Sequence, residues 1–218
     1  TIGHSFELDG IKTDDVSIFS PHFFDGFEIT SWAYAQEPRS LIWAVRNDGK
    51  LLCFTWEQEQ QVWGWTLCET DGLFQSVCVI SENGEDRVYL IVRRTIQGVK
   101  RYFIEEMDVA RWGSIEDACY LDGAGSFVFE TPQTLIRNLD HLEGRTVNVL
   151  ADGNVVLGKV VENGQITIPN AATKVTVGLP YRAVVGTLPL AFNSREGSNI
   201  GKRQMVGKAV VRLMNTRG

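Results

Sequence analysis

Eight Asx-Gly pairs divide the chain into short segments, and this punctuation constrains the fold more than any other feature. The pairs are Asp9-Gly10, Asp25-Gly26, Asp48-Gly49, Asp71-Gly72, Asn83-Gly84, Asp122-Gly123, Asp152-Gly153 and Asn163-Gly164. A type I′ turn needs positive φ at both central residues, which Asn, Asp and Gly tolerate best. The runs between the pairs are rich in Val, Ile, Leu and aromatic residues. The sequence therefore predicts antiparallel hairpins in an all-β chain, with no helix longer than about three turns.

The spacing of apolar residues within these runs predicts which side chains share a face. In the segment KLLCFTWE (residues 50–57), alternation places Leu52, Phe54 and Trp56 together on one face of a strand. The segment SLIWAVRN (residues 40–47) is almost continuously apolar, which is typical of a strand buried on both faces. Consecutive strands of this length with tight turns predict a meander of the size of a propeller blade.

The pattern of segments predicts two regions. Residues 1–130 are expected to form propeller-like β-hairpins that belong to a larger propeller. Residues 131–218 combine short strands with the long polar loop AFNSREGSNIGKRQ, which predicts a small β-barrel or sandwich domain. Residues 131–144 fit a short helix or an extended chain, and the β-rich context favours strand and loop. Because the chain opens at Thr1 within a strand-like pattern, we expect a fragment of a longer protein or a processed chain.

Four tryptophans lie in one stretch of residues 40–72, at Trp43, Trp56, Trp63 and Trp65. Large aromatic residues at strand spacing are usually part of a core. We therefore expect these side chains to be mainly structural. The alternative is a row of exposed rings that stack on sugars.

Charge is distributed unevenly along the chain. Residues 1–130 carry 22 acidic and 10 basic residues, whereas residues 131–218 carry 5 acidic and 11 basic ones. Such a basic stretch can contact nucleic acid. It can also form a solvated face, or a surface that meets an acidic surface of another subunit. The whole chain has a net charge of −6 and should repel DNA. We therefore expect Arg195, Lys202 and Arg203 to lie at a subunit interface, with a channel wall as the alternative.

The sequence contains no convincing catalytic signature. The histidines are far apart, and no GxSxG, HExxH or Walker motif occurs. Glu105 and Glu106 are candidates for the paired carboxylates of a glycosidase. Acids at the end of a strand more often lie at a solvated edge or pair with nearby arginines. We therefore expect no enzymatic activity, no cofactor and no metal site.

The spacing of the four cysteines does not match a metal-binding motif. None forms a CxxC pair. Cys53, Cys68 and Cys78 lie in apolar strand patterns, so we expect reduced thiols within the core. A disulfide between neighbouring strands is the alternative.

Five segments carry a resemblance to a known family. They are LIWAVRNDGKL, VWGWTLCETDG, VYLIVRRTIQGVKRYFIEEM, HLEGRTVNVLADG and VGLPYRAVVGTLPL. Together they resemble the tail nozzle (tail tubular protein B-like) family of short-tailed bacteriophages and prophages. The resemblance spans most of residues 30–214 and contains no catalytic motif.

The resemblance implies a structural virion protein, located in the tail after assembly in the host cytoplasm. Such a protein forms a homohexameric ring around the DNA channel, with a β-propeller and an attached platform or barrel domain. Its partners would be other tail proteins, such as adaptor and fibres, with DNA passing transiently during ejection. No membrane insertion is expected, since no apolar run approaches the length of a membrane-spanning helix.

Two other classes of protein function are also compatible with the sequence. One is a carbohydrate-binding β module or host-receptor adhesin. The other is a glycan hydrolase that uses Glu105 or Glu106.

Overall fold

The computed structural model describes residues 2–5, 10–13, 15–57, 60, 62–108, 113–184, 186, 193–194, 197–198, 203, 205 and 207–212. The chain divides into two compact units, Thr1–Pro180 and Tyr181–Gly218. The described part is all-β, as predicted. Its helical segments are three short 3₁₀ turns, Pro21–Phe23, Ile115–Asp117 and Asp140–Leu142. None of the helices among these described residues is long and apolar enough to cross a membrane.

The first unit begins with a hairpin, which is followed by a four-stranded meander. The hairpin joins β1 (Ile2–Ser5) and β2 (Gly10–Thr13). Sheet I follows, with β3 (Ile29–Ala35), β4 (Leu41–Arg46), β5 (Leu51–Glu57) and β6 (Val62–Cys68) paired in chain order. In the β4–β5 turn Gly49 has φ 82°, and a Cβ there would lie 2.7 Å from the Leu73 side chain. The turn therefore needs glycine for both its backbone conformation and its space.

Sheet II is a three-stranded meander. It contains β7 (Leu73–Glu82), β8 (Glu85–Ile96) and β9 (Val99–Glu106). Asn83-Gly84 joins β7 to β8, with φ 54° and 82°. Gln97-Gly98 joins β8 to β9 in the same way, with φ 49° and 79°. Both are two-residue turns with positive φ, which the Asx-Gly pairs predict for Asn83-Gly84 and which Gln97-Gly98 shares without an Asx residue.

Sheets I and II pack against each other through their inner faces. The shared core consists of Ala35, Trp43, Val45, Leu51, Cys53, Phe74, Val77, Val88, Leu90 and Val92. Alternate residues of β8 are buried from Val88 to Ile96, while Ile91 is exposed. This confirms the predicted alternation. Two antiparallel meanders packed in this manner share one hydrophobic core, and their membership of a propeller stays a prediction.

Sheet III completes the first unit. It contains β10 (Asp122–Ile136), β11 (Thr146–Ala151), β12 (Asn154–Val160) and β13 (Ile166–Leu179), in the order β10-β13-β11-β12. It has a core of its own, which includes Ile136, Leu139, Leu142, Val147, Val149 and Val175. These four described strands form an open antiparallel sheet and no closed barrel. Sheet III therefore follows sheets I and II within the first compact unit, and among the described strands the predicted small barrel is not closed.

The segment around residue 130 is strand. β10 continues to Ile136, which confirms extended chain rather than helix in the first part of residues 131–144. Because β10 spans residue 130, the proposed division of the chain at that position stays a prediction. In the second unit, β14 (Asn193–Ser194) and β15 (Gly197–Ser198) form a short hairpin.

Candidate functional site

The basic C-terminal residues are described only in part. Arg203 is exposed. Lys202 and Arg195 lie outside the described residues. Their assignment to a subunit interface or a channel therefore stays a prediction.

The two carboxylates at the end of β9 do not share a cleft. Glu105 pairs across the sheet with Leu90, a core residue, whereas Glu106 pairs with Tyr89 on the other face. The Arg94 Nε and Nη2 atoms each donate to Glu105 at 2.7 Å. The Glu106 carboxylate lies 3.3 Å from Arg87. Adjacent residues of a strand point to opposite faces, so these two groups cannot flank one glycosidic bond.

A polar junction cluster joins sheet II to sheet III, and we define it as Arg94, Glu105, Asp71, Asp122 and Arg145. The Arg94 side chain is buried, and its Nη1 donates to the Asp71 carbonyl at 2.7 Å. Arg145, just before β11, forms an ion pair of 2.8 Å with the Asp71 carboxylate. Burial raises the pKa of Asp122, an effect opposed in part by the Thr70 hydroxyl and the Arg94 guanidinium. The cluster therefore holds two sheets together through charged groups.

Some of the basic residues of 131–218 form ion pairs with acidic residues of 1–130 in the same chain. Arg145 binds Asp71, and Lys174 on β13 binds Asp117 in the preceding 3₁₀ turn. In both pairs a base from residues 131–218 meets an acid from residues 1–130. The basic excess of the second region is thus partly neutralised by intramolecular contacts.

An open cleft of about 690 Å³ lies between the β8–β9 hairpin and sheet III. It is lined by Ile96, Gln97, Val99, Arg101, Phe103, Asp140, His141, Glu143, Asn163 and Gly164. The Glu143 carboxylate accepts backbone N–H bonds from Asn163 at 3.0 Å and Gly164 at 2.7 Å. The His141 Nε2 atom lies 3.1 Å from the Gly123 carbonyl oxygen. Two of its polar side chains therefore serve to hold turns in place.

The tryptophans of the aromatic stretch differ in their surroundings. Trp43 is buried between sheets I and II. Trp65 donates from Nε1 to the Val16 carbonyl at 3.2 Å and meets the Phe24 ring edge-on at 4.9 Å. These contacts show that residues 15–28 form a strap across the outer face of sheet I. Trp63, by contrast, is 48% exposed and meets the Trp56 ring at 5.8 Å, so a mainly structural role for it stays a prediction.

The outer face of sheet I carries exposed aromatic rings beside the strap. The register puts Trp32 on the same face as Leu52 and Leu67, and Tyr34 on that face one row further. Trp32 is 69% exposed and Tyr34 is 48% exposed. Neither residue is among the expected site residues, although the alternation in ITSWAYA (residues 29–35) indicates that both lie on one face.

The outer face of sheet II also exposes apolar side chains, beside the Arg87–Glu106 ion pair. Ile104 is 81% exposed, and Tyr102 is 62% exposed. A hollow of about 160 Å³ lies on this face and is lined by Ser76, Cys78, Tyr89, Leu90, Ile91 and Ile104. The small side chains of Ser76 and Cys78 leave this space between larger neighbours. Both outer faces of the two-sheet stack therefore expose apolar surface.

The four cysteines are free thiols. Cys53 is buried, and burial raises the pKa of its thiol to about 12. Burial also raises the pKa of Cys68 and Cys119. Cys78 is exposed, so its placement in the core was wrong. It lies on the outer face of sheet II because it alternates with the inward-facing Val77 and Val79.

Comparison with known proteins does not place the chain in a family. No family model matches it, and no curated protein matches it significantly. Within the described ranges, no group of three or more His, Cys, Asp or Glu side chains is placed to hold a metal ion.

Proposed function

We propose that the chain is a structural virion protein of a short-tailed bacteriophage or prophage. It is a component of the tail tube or nozzle and contributes to a ring around the DNA channel. The observation that supports this role best is the stack of sheets I and II with apolar residues on both outer faces. Large exposed apolar patches mark protein–protein contacts in soluble proteins. The sequence resemblance to tail nozzle proteins supplies the identity of the assembly.

The proposed ring is a closed homo-oligomer, a hexamer by that resemblance, with the tail adaptor and fibres as further partners. Head-to-tail contacts close a ring when the rotation between copies permits it. A channel wall that lets DNA slide should bind phosphate weakly, because each neutralised phosphate adds affinity. The basic residues of the second unit are therefore assigned to contacts between proteins.

The proposed role is structural and not enzymatic. Glu105 and Glu106 each pair with an arginine and face opposite sides of sheet II. This arrangement supports a role for both carboxylates in stability.

Imaging of particles tests the proposal. An epitope tag on the parent protein should be found at the distal end of the tail by electron microscopy with labelled antibody. Particles made without the protein should lack that part of the tail. A tag that is absent from purified particles would contradict the virion role.

One observation favours a second candidate, a carbohydrate-binding module. Trp32, Tyr34 and Trp63 expose their rings on a single face of sheet I. Exposed aromatic rings are suited to stacking on the apolar faces of sugars. In a glycan array, the Trp32→Ala variant would then lose binding while retaining the melting temperature of the wild type, and Trp63→Ala would lose binding with only a small fall in melting temperature. Absence of binding by the wild-type chain would remove this candidate.

A further inference from the structure

We propose that the outer face of sheet I binds the outer face of sheet II of a second copy of this chain. Trp32 is the projecting side chain of this contact, and the hollow beside Cys78 receives it. The inference goes beyond the virion role and does not depend on it.

The geometry of the stack makes such a contact head-to-tail. Sheets I and II use their inner faces against each other. Their outer faces therefore point away from each other, and one copy cannot join them. A projecting apolar group that fits a pocket elsewhere on the same molecule produces a heterologous contact, which closes a ring or extends as a filament.

The hollow is large enough to receive the six-membered ring of the Trp32 indole. The hollow of about 160 Å³ has an almost wholly apolar lining from sheet II. An apolar cavity of about 150 Å³ accommodates one benzene ring. Trp32 lies on β3 at the edge of sheet I and is 69% exposed, so its ring is available to enter such a hollow.

The apolar rims are complementary as well. Tyr102 and Ile104 on β9 surround the hollow with exposed apolar surface, and Tyr34 and Trp63 extend the patch around Trp32. Aromatic residues are enriched at interface hot spots, where they fill pockets that exclude water. The contact would repeat between copies the face-to-face packing that sheets I and II already show.

Charges at the borders of the two faces are opposite. Arg93 and Lys100 lie on the outer side of sheet II, and within the described residues neither forms an ion pair. The exposed Asp25 and Glu28 lie in the strap at the border of the outer face of sheet I, also without an ion pair in the described part. Opposite charges across a rim favour one orientation of the two copies and speed their association.

Sizing of the full chain over a range of concentrations tests the contact. The wild type should associate, and Trp32→Glu and Ile104→Glu should each weaken association at least about 30-fold, as expected for hot-spot residues. Both side chains are exposed, so neither change should alter the melting temperature. Val128→Glu is the matched control, because Val128 is 79% exposed on β10, outside both faces.

Mixing the two variants separates a head-to-tail contact from a symmetric one. The Trp32→Glu variant keeps an intact sheet II face, and the Ile104→Glu variant keeps an intact sheet I face. An equimolar mixture should therefore form a 1:1 pair and nothing larger. A symmetric contact would depend on one face only, and the variant with the other face altered would then associate like the wild type.

A disulfide trap gives an independent readout. In Trp32→Cys the new thiol should lie beside the partner's Cys78, so mild oxidation at protein concentrations high enough to offset loss of the ring should yield covalent head-to-tail oligomers. The double variant with Cys78→Ser should give none. A wild type that stays monomeric at all concentrations, an effect of Val128→Glu as large as that of Trp32→Glu, or glycan binding by the same face without association would each overturn the proposal.

Discussion

Arg94 is a buried charged residue of sheet II, and its guanidinium lies beside Gly123 on β10 of sheet III. Its guanidinium donates to both oxygens of Glu105 and to the Asp71 carbonyl. Removal of one partner from a buried ion pair leaves the other charge without compensation. Breaking the Arg94–Glu105 pair should therefore lower the stability of the protein more than breaking an exposed ion pair.

We expect Arg94→Leu to lower the free energy of unfolding by about 3 kcal/mol, because it leaves the partly buried Glu105 carboxylate unpaired. Arg87→Leu breaks the more exposed pair with Glu106 and should cost less than about 1 kcal/mol. Urea unfolding of both variants measures the difference. Equal losses would show that burial of the Arg94 pair has no energetic consequence.

Asp122 should make stability depend on pH. Burial raises the pKa of its carboxyl above the ordinary value of 3.8. The folded state therefore holds this proton more tightly than the unfolded state, and the contribution of Asp122 to stability falls as pH rises through the folded pKa. Asp122→Asn should be more stable than the wild type at pH 7. This advantage should vanish below the unfolded pKa, near pH 3.8.

Denaturation of wild type and variant over pH 3–8 measures this difference. An Asn variant that is less stable at pH 7 would show that the ionised carboxylate is stabilised in place.

At the scale of elements, the two faces of sheet I have different roles. The inner face packs on sheet II and includes Trp43. The outer face is covered by the strap around Phe54 and Trp65 but is open at Trp32. Two tryptophans in similar apolar patterns, such as Trp43 and Trp63, can therefore contribute very different amounts to the free energy of unfolding.

Trp43→Ala should lower the free energy of unfolding by about 3–5 kcal/mol, since it leaves a large cavity between the sheets. Trp63→Ala removes a half-exposed ring that meets Trp56 at 5.8 Å and should cost about 1 kcal/mol. Thermal melting of the two variants under the same conditions makes the comparison. A larger loss for Trp63 would mean that its exposed ring has a partner that the single chain does not provide.

At the scale of the whole molecule, sheets are joined by charge as well as by packing. The pairs of Arg145 with Asp71 and of Lys174 with Asp117 connect the basic and acidic regions of one chain. The bases of the second unit remain candidates for contacts with other subunits. We expect these bases to make their contacts in the assembled oligomer and not within one chain.

We expect the double variant Lys202→Glu, Arg203→Glu to impair assembly of the full-length protein, with little change in affinity for duplex DNA. The physical reason is that a reversed charge meets an acidic partner surface, whereas weak phosphate binding changes little. Sizing beside a salt titration of DNA binding measures both effects. Tight, steeply salt-dependent DNA binding that the double variant loses, with assembly intact, would favour a channel wall instead.

Local sequence was sufficient for the turns, the strands and their alternation. Asn83-Gly84 adopts positive φ because Asn and Gly tolerate it best, whereas at Gln97-Gly98 the two-residue turn imposes it on Gln97, and the period of two decides which residues of β8 share a face. These features depend on neighbours within a few residues, so they could be predicted without the fold.

The tertiary structure decided which faces are covered and which charges meet. Phe54 and Trp32 lie on the same face of sheet I, yet one is buried and the other exposed, because the strap covers only part of that face. Likewise, Arg145 meets Asp71, a residue far away in sequence. Burial and ion pairing depend on what packs against a surface, and sequence period carries no information about that partner.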